Sequence, residues 1–220
     1  MNEYDYEYEW DSKYCYPNSS VLKNRLGIQD AERLSEAERR VTAINILEIM
    51  YRPVRGRLDF KHLCAIHRAV FRDIFDWVGK PRTANNAKGN PFCMSNVIHE
   101  YADSIFNKLK ADGYLLGKPA EEMPEALTWY LSEINVLHPF REGNGRAQRI
   151  FIGYLAQCAG YHVDFSDVSS KEMLEASVSS FDKEYDQTTA MFCRIISPIT
   201  LQEQQAFRKR IGIDRAERER

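Results

Sequence analysis

Apolar residues recur at helical spacing along most of the chain and almost nowhere alternate. Val41, Ile44, Leu47 and Met50 form one such stripe. Ser35 with Glu38 three residues on has the form of a capping box and predicts a helix start there, and Pro53 stops the pattern. A second helix is predicted after Asp59, with Leu63, Ile66, Val70 and Phe71 on one side. A third runs from about Ser95 through Ile98, Ala102, Ile105, Phe106 and Leu109, with Gly113 as its C-terminal stop. A fourth spans about Pro119 to Val136 through Leu127, Tyr130, Leu131 and Ile134. Residues 150–159 read as a buried helix ended by Gly160, Ser169 with Glu172 suggests another capping box, and Pro198 ends the last periodic stretch. Residues 78–96 differ: they hold Gly79, Pro81, Gly89 and Pro91 without helical period, so a loop or a hairpin near 82–94 is expected. With no run of alternating strands and no internal repeat, the pattern predicts one mostly α domain.

The chain has 220 residues, enough for one domain, and 44% hydrophobic with 28% charged residues excludes wholesale disorder. A net charge of -2 gives no chain-wide basic surface for nucleic acid, so no direct nucleic-acid partner is expected. The longest stretch without Asp, Glu, Lys or Arg, residues 150–163, is too short and too polar for a bilayer. Nothing resembles a secretory signal, and five cysteines without a CxxC pair argue for a reducing compartment. Cytoplasmic localisation without membrane association is therefore expected.

The ends differ from the middle. Residues 1–12 carry Glu3, Asp5, Glu7, Glu9 and Asp11 with Tyr4, Tyr6 and Tyr8 between them and no Lys or Arg. Residues 1–13 read as a flexible acidic segment, the other reading being a docking strand for a partner. Residues 14–200 form the expected domain, and 201–220 a charged C-terminal tail whose last thirteen residues read as a frayed helix rather than a nucleic-acid arm.

Chemistry concentrates in residues 137–149, LHPFREGNGRAQR. Gly143 and Gly145 flank Asn144 at the entry to a helical pattern, where backbone N–H groups and the helix dipole converge on an anion. Arg146 and Arg149 project from adjacent turns and suit a polyphosphate. Glu142, beside the glycines, is either repulsive to phosphate or a Mg²⁺ ligand. His138, at the mouth of the loop, can accept a proton from an attacking hydroxyl, and Phe140 would pin the loop by inserting into the core.

Residues 138–146, HPFREGNGR, resemble without mismatch the signature of Fic-domain proteins, and Arg149 supplies the x-x-Arg that often follows. Residues 75–79, FDWVG, with Arg82 are similar to the family's segment before its flap, and residues 16–27 to its N-terminal part. The resemblance implies a helical Fic domain with a β-hairpin flap at about 82–94 and an active loop at 138–149. It implies protein adenylylation: AMP passes from ATP to a Tyr, Ser or Thr hydroxyl of a target docked on the flap. On that basis His138 is the general base and Glu142 holds Mg²⁺. Phe140, Gly143, Asn144, Gly145, Arg146, Ala147, Gln148 and Arg149 belong to the nucleotide-binding loop, with both arginines on the leaving pyrophosphate. Leu174 borders the adenine. Transfer of UMP, phosphocholine or phosphate, or a non-catalytic interaction module, are the alternatives.

Many family members carry an inhibitory Ser/Thr-x-x-x-Glu-Gly/Asn helix. Here the only Glu followed by Gly or Asn is Glu142, inside the active loop. The resemblance therefore implies a toxin restrained by a separate small antitoxin, whose Glu would pair with Arg149. For that class it suggests bacterial type II topoisomerase subunits as targets.

Overall fold

The computed structural model describes residues 13–88 and 90–213, with the backbone alone for residues 7–8, 86–88, 90 and 91. Among the described residues, eight α-helices carry the fold: α1 (Ala31–Tyr51), α2 (Phe60–Phe71), α3 (Ile98–Ala111), α4 (Met123–Leu137), α5 (Asn144–Ala159), α6 (Ser170–Phe181), α7 (Asp186–Ile195) and α8 (Leu201–Ile211). Strands β1 (Glu7–Tyr8), β2 (Asn86–Lys88) and β3 (Asn90–Pro91) make an antiparallel sheet in the order β1-β2-β3. A second antiparallel pair joins β4 (Tyr161–Val163) to β5 (Ile196–Pro198). The expected class, mostly helical with a hairpin flap, is the observed one.

The core forms around α5, whose Phe151, Ile152 and Leu155 are fully buried against α4, α2 and α8. Each such side chain contributes about 1.5–3 kcal/mol by leaving water. The face predicted for the second helix, Leu63, Ile66, Val70 and Phe71, is buried, and the Asp59 side chain caps α2 by accepting from the His62 amide at 2.8 Å. Ser169 caps α6 in the same way at 3.1 Å, and Gly160 stops α5 at φ 102°.

Three expectations need correction. Ser35 is not a cap: α1 starts at Ala31, and Asp30 accepts from the Arg33 amide at 2.9 Å. The stripe Ile44, Leu47 and Met50 faces outward, 66%, 66% and 67% exposed. The inner face of α1 is Leu34, Thr42, Asn45 and Ile49. Asn45 fixes it, because Nδ2 donates to Val70 O and Asp73 Oδ2, both at 3.0 Å, and so ties α1 to the end of α2. The helix before Gly160 begins at Asn144, six residues earlier than its apolar pattern, because residues 144–149, NGRAQR, are mostly polar. The charged tail begins as α8, a helix closed by a Thr200–Glu203 capping box, with Phe207 and Ile211 buried; residues 214–220 lie outside the described residues. At the other end, residues 1–6 and 9–12 of the acidic segment also lie outside them, while Glu7 and Tyr8 form β1.

Candidate active site

The loop between α4 and α5 is held by its own side chains. His138 caps α4 in the left-handed conformation, φ 41°, ψ 58°, its amide donating to Ile134 O at 3.1 Å. Such a backbone in a non-glycine residue is strained and persists only where the surroundings impose it. Asn144 closes the turn: Oδ1 accepts from the Phe140 amide at 2.8 Å and Nδ2 donates to Phe140 O at 2.7 Å. The Phe140 ring is fully buried and stacks on the His67 ring at 3.8 Å. Gly143 stands at φ 80° as the residue before α5, and no side chain caps that end. The amides of Asn144, Gly145 and Arg146, in the first turn, have no intrahelical acceptor. They and the dipole form an anion-binding nest.

His67, on α2, supports this turn from behind. Its Nδ1 accepts from the Gly79 amide at 2.9 Å, so the proton sits on Nε2, which donates to Glu142 O at 2.9 Å. Gly79 is at φ 69°, and a Cβ there would lie 2.7 Å from Cys64 O. Burial pushes the His67 pKa down from 6.5 to about 3. Between those two values only the unfolded chain binds the proton. Stability from this group is therefore complete above pH 6.5 and falls as pH drops toward 3. His67→Gln is expected to lower stability at pH 7.5 and to flatten its decline between about pH 6.5 and 4.5, by up to about 1.4 kcal/mol per pH unit. Urea titrations across that range check it; parallel profiles for the two proteins would contradict it.

The segment before the flap is bolted to the same loop. Arg82 is buried; its Nε donates to His138 O at 2.8 Å, its amide to Pro139 O at 2.8 Å, and its Nη2 to Cys93 O. Phe92, just after β3, stacks on the His138 ring at 3.7 Å. One arginine thus joins both ends of the flap to the active loop.

In front of the nest lies a cavity of about 290 Å³, lined by His138, Gly145, Gln148 and Arg149 on one side and by Met173 and Leu174 of α6 on the other. His138 is 6% exposed, and what it exposes lies at this cavity. The Arg149 side chain forms no hydrogen bond or ion pair among the described residues, and burial lowers its pKa, as does the neighbouring Arg146 charge. A half-buried guanidinium beside an uncapped helix start is a site for an anion.

Arg146 is placed differently. Its Nη2 pairs with Glu38 on α1, its Nη1 donates to Thr42 Oγ1 at 3.1 Å, and its guanidinium lies 4.6 Å above the Phe71 ring. Glu38 has a side chain only 13% exposed, and burial raises its carboxyl pKa, against the Arg146 charge that lowers it. The residue that read as half of a capping box is therefore the partner of a motif arginine. Glu38→Ala should destabilise the fold by about 2 kcal/mol, because it strands a half-buried guanidinium. Calorimetric unfolding checks this; a change below about 0.5 kcal/mol, the size of an ordinary surface substitution, would contradict it.

A profile of the Fic/DOC family matches residues 57–156. The probable protein adenylyltransferase Fic of Salmonella typhimurium is 40% identical over 186 residues, covering 84% of this chain and 92% of that protein. The chain belongs to the Fic/DOC family. The protein adenylyltransferase VbhT of Bartonella schoenbuchensis is 36% identical over 189 residues; the match takes 86% of this chain but 40% of VbhT. Among solved structures, the N-terminal Fic domain of a VirB-translocated Bep effector from Bartonella quintana with bound ADP superimposes at a TM-score of 0.82 and 29% identity, covering 87% of this chain and 98% of that one. BepC from Bartonella tribocorum with bound AMPPNP gives 0.81 and 26%, covering 86% and 99%.

Within this Fic/DOC chain the residues of 138–149 divide into three groups. His138, Gly145, Gln148, Arg149 and, across from them, Leu174 meet at the cavity. Phe140, Asn144 and Ala147 are buried; they shape the loop, so any nucleotide contact from them is through backbone. Gly143 and Glu142 are linked, Oε1 of Glu142 accepting from the Gly143 amide at 2.8 Å, and Glu142 lies 3.9 Å from Arg146. Among the described residues no three His, Cys, Asp or Glu side chains gather at a metal-binding spacing. A single carboxylate beside a phosphate nest fits Mg²⁺ that arrives with a nucleotide, since that ion takes one or two carboxylates plus phosphate oxygens. His67 and Phe92 carried no recognisable role in the sequence, Arg82 only its place in the family-like segment before the flap, and Glu38 the form of a capping-box partner; each contributes through long-range packing. No helix among the described residues is long and apolar enough to cross a membrane.

Proposed function

We propose that this protein is a protein adenylyltransferase that moves AMP from ATP to a Tyr, Ser or Thr hydroxyl of a target protein. The observation that carries the reading is the meeting, at one cavity, of His138, Arg149 and the uncapped start of α5. The amides of residues 144–146 receive phosphate oxygens, and Arg149 takes charge on the departing pyrophosphate. Glu142 holds Mg²⁺, which supplies charge neutralisation on the phosphates when bound. His138 accepts the proton of the attacking hydroxyl; its ring is fixed by the Phe92 stack and by its Nδ1, 3.3 Å from Asn135 O. A donor from Nδ1 to that carbonyl leaves Nε2 as the base. Leu174 and Met173 offer an apolar wall for the base of the nucleotide.

The protein acts as a toxin held by a separate small antitoxin. Two features support this: the inhibitory Glu motif is missing from the chain, and Arg149 is left without an acidic partner among the described residues. The antitoxin Glu would pair with Arg149. Type II topoisomerase subunits are candidate targets on the resemblance. Expression of the chain alone should arrest bacterial growth, and robust growth with no modified protein would contradict the toxin reading. Mass spectrometry of a modified target tests the transferred group. An adenylyl addition is expected; a uridylyl, phosphocholine or bare phosphate addition would overturn the choice of AMP.

A further inference from the structure

The flap's outer edge is already taken. β1 pairs antiparallel with β2, Glu7 opposite Ala87 and Tyr8 opposite Asn86, on the side of β2 away from β3. β3 itself is a poor edge for another strand. It contains Pro91, which has no N–H to donate, and it runs into Phe92 and Cys93, which are turned onto His138 and Val136. The outer edge of β2 is thus the edge with backbone donors and acceptors to offer. The register also brings it near the chemistry. Ala87 faces Pro91, so one step along the ladder sets Asn86 beside Phe92, the residue that covers the His138 ring. Tyr8, opposite Asn86, lies two strand spacings from Phe92, about 10 Å in backbone.

Charge and tethering favour the same pairing. Apart from the buried Arg82, residues 80–99 hold Lys80 and Lys88 and no acid, whereas residues 3–11 hold five acids and no base. The chain leading to β1 is anchored on the flap: Lys13 Nζ donates to Thr83 Oγ1 at 3.1 Å, and the Thr83 amide donates to the buried Tyr14 hydroxyl at 3.2 Å. A strand so tethered meets its edge at high effective concentration.

On the reading that an extended target segment adds to the flap, we propose that residues 7–8 of this chain occupy the outer edge of β2 and must be displaced before that segment can dock. The partner it fits is an extended, acidic stretch running antiparallel to β2. This rests on the adenylyl-transfer reading above.

The test uses the full-length chain and a double variant, Glu7→Pro with Tyr8→Pro, which removes two backbone donors from β1. Amide hydrogen exchange at residues 86–88 is expected to quicken roughly tenfold in the variant, the loss of a ladder of two pairs. A peptide of residues 3–12 added in trans should restore protection. With labelled ATP and limiting host lysate, the variant should label target proteins several-fold faster, and the peptide should return it to the parent rate. Unchanged exchange overturns the proposal whatever the activity. Faster exchange with unchanged labelling overturns it too, because the edge would then not be where targets dock. If both proteins bind ATP alike and neither labels anything, the transfer reading itself fails and takes the proposal with it.

Discussion

Replacing His138 by alanine is expected to cut adenylyl transfer by about 10²–10⁴, the range that a positioned general base supplies. Nucleotide affinity should change by no more than about threefold, roughly 0.7 kcal/mol. The separation follows from the geometry. The imidazole contributes a proton acceptor at the cavity, while the anion nest belongs to the start of α5 and to Arg149. The backbone at residue 138 is left-handed, φ 41°, and alanine tolerates it at a cost of about 1 kcal/mol. His138→Asn, a residue at ease in that conformation, therefore provides a second variant with an undisturbed loop. Both should bind ATP and fail to transfer. A variant that transfers at the parent rate would remove His138 from the role of base.

Gly143→Ala should be the more destructive change for the loop. A Cβ at that position would lie 2.2 Å from Phe71 Cζ, and φ is 80°. Phe71 cannot move aside: it is fully buried between the His67 ring, 4.8 Å away, and the Arg146 guanidinium, 4.6 Å away. Overpacking and left-handed strain together should cost about 2–4 kcal/mol and shift the nest that α5 presents. Gly145→Ala is the matched control. Its Cβ would meet only Arg149 Nη1, at 3.4 Å, and helix propensity favours alanine there by up to about 1 kcal/mol. Thermal unfolding without nucleotide separates the two. A strongly destabilised Gly143→Ala beside a Gly145→Ala of near-parent stability is expected; equal melting would contradict the loop geometry.

How far the sequence could be read differed by scale. The helices α2, α3 and α4 were legible because their buried faces are apolar and periodic. The loop 138–149 was legible because two glycines, an asparagine and two arginines cannot be spaced that way by packing alone. The inner face of α1 was not, since polar Thr42 and Asn45 stand between its apolar Leu34 and Ile49, and Glu38 had the form of a capping-box partner. Its apolar stripe pointed to the wrong side for the same reason. The short β4–β5 pair escaped because three-residue strands carry no alternation. The supporting roles of His67 and Arg82 were invisible for another reason. A buried polar side chain declares itself only through its partners, and Glu142 and His138 lie 75 and 56 residues away in the chain.

The central claim is that the loop presents the α-phosphorus of ATP to a hydroxyl that His138 deprotonates. Parallel incubation of the purified chain and host lysate with ATP labelled at the α- or at the γ-phosphate tests it most directly. The account predicts that α-label becomes protein-bound while γ-label is released as pyrophosphate. Protein-bound γ-label, or no protein-bound label from either nucleotide, would contradict it.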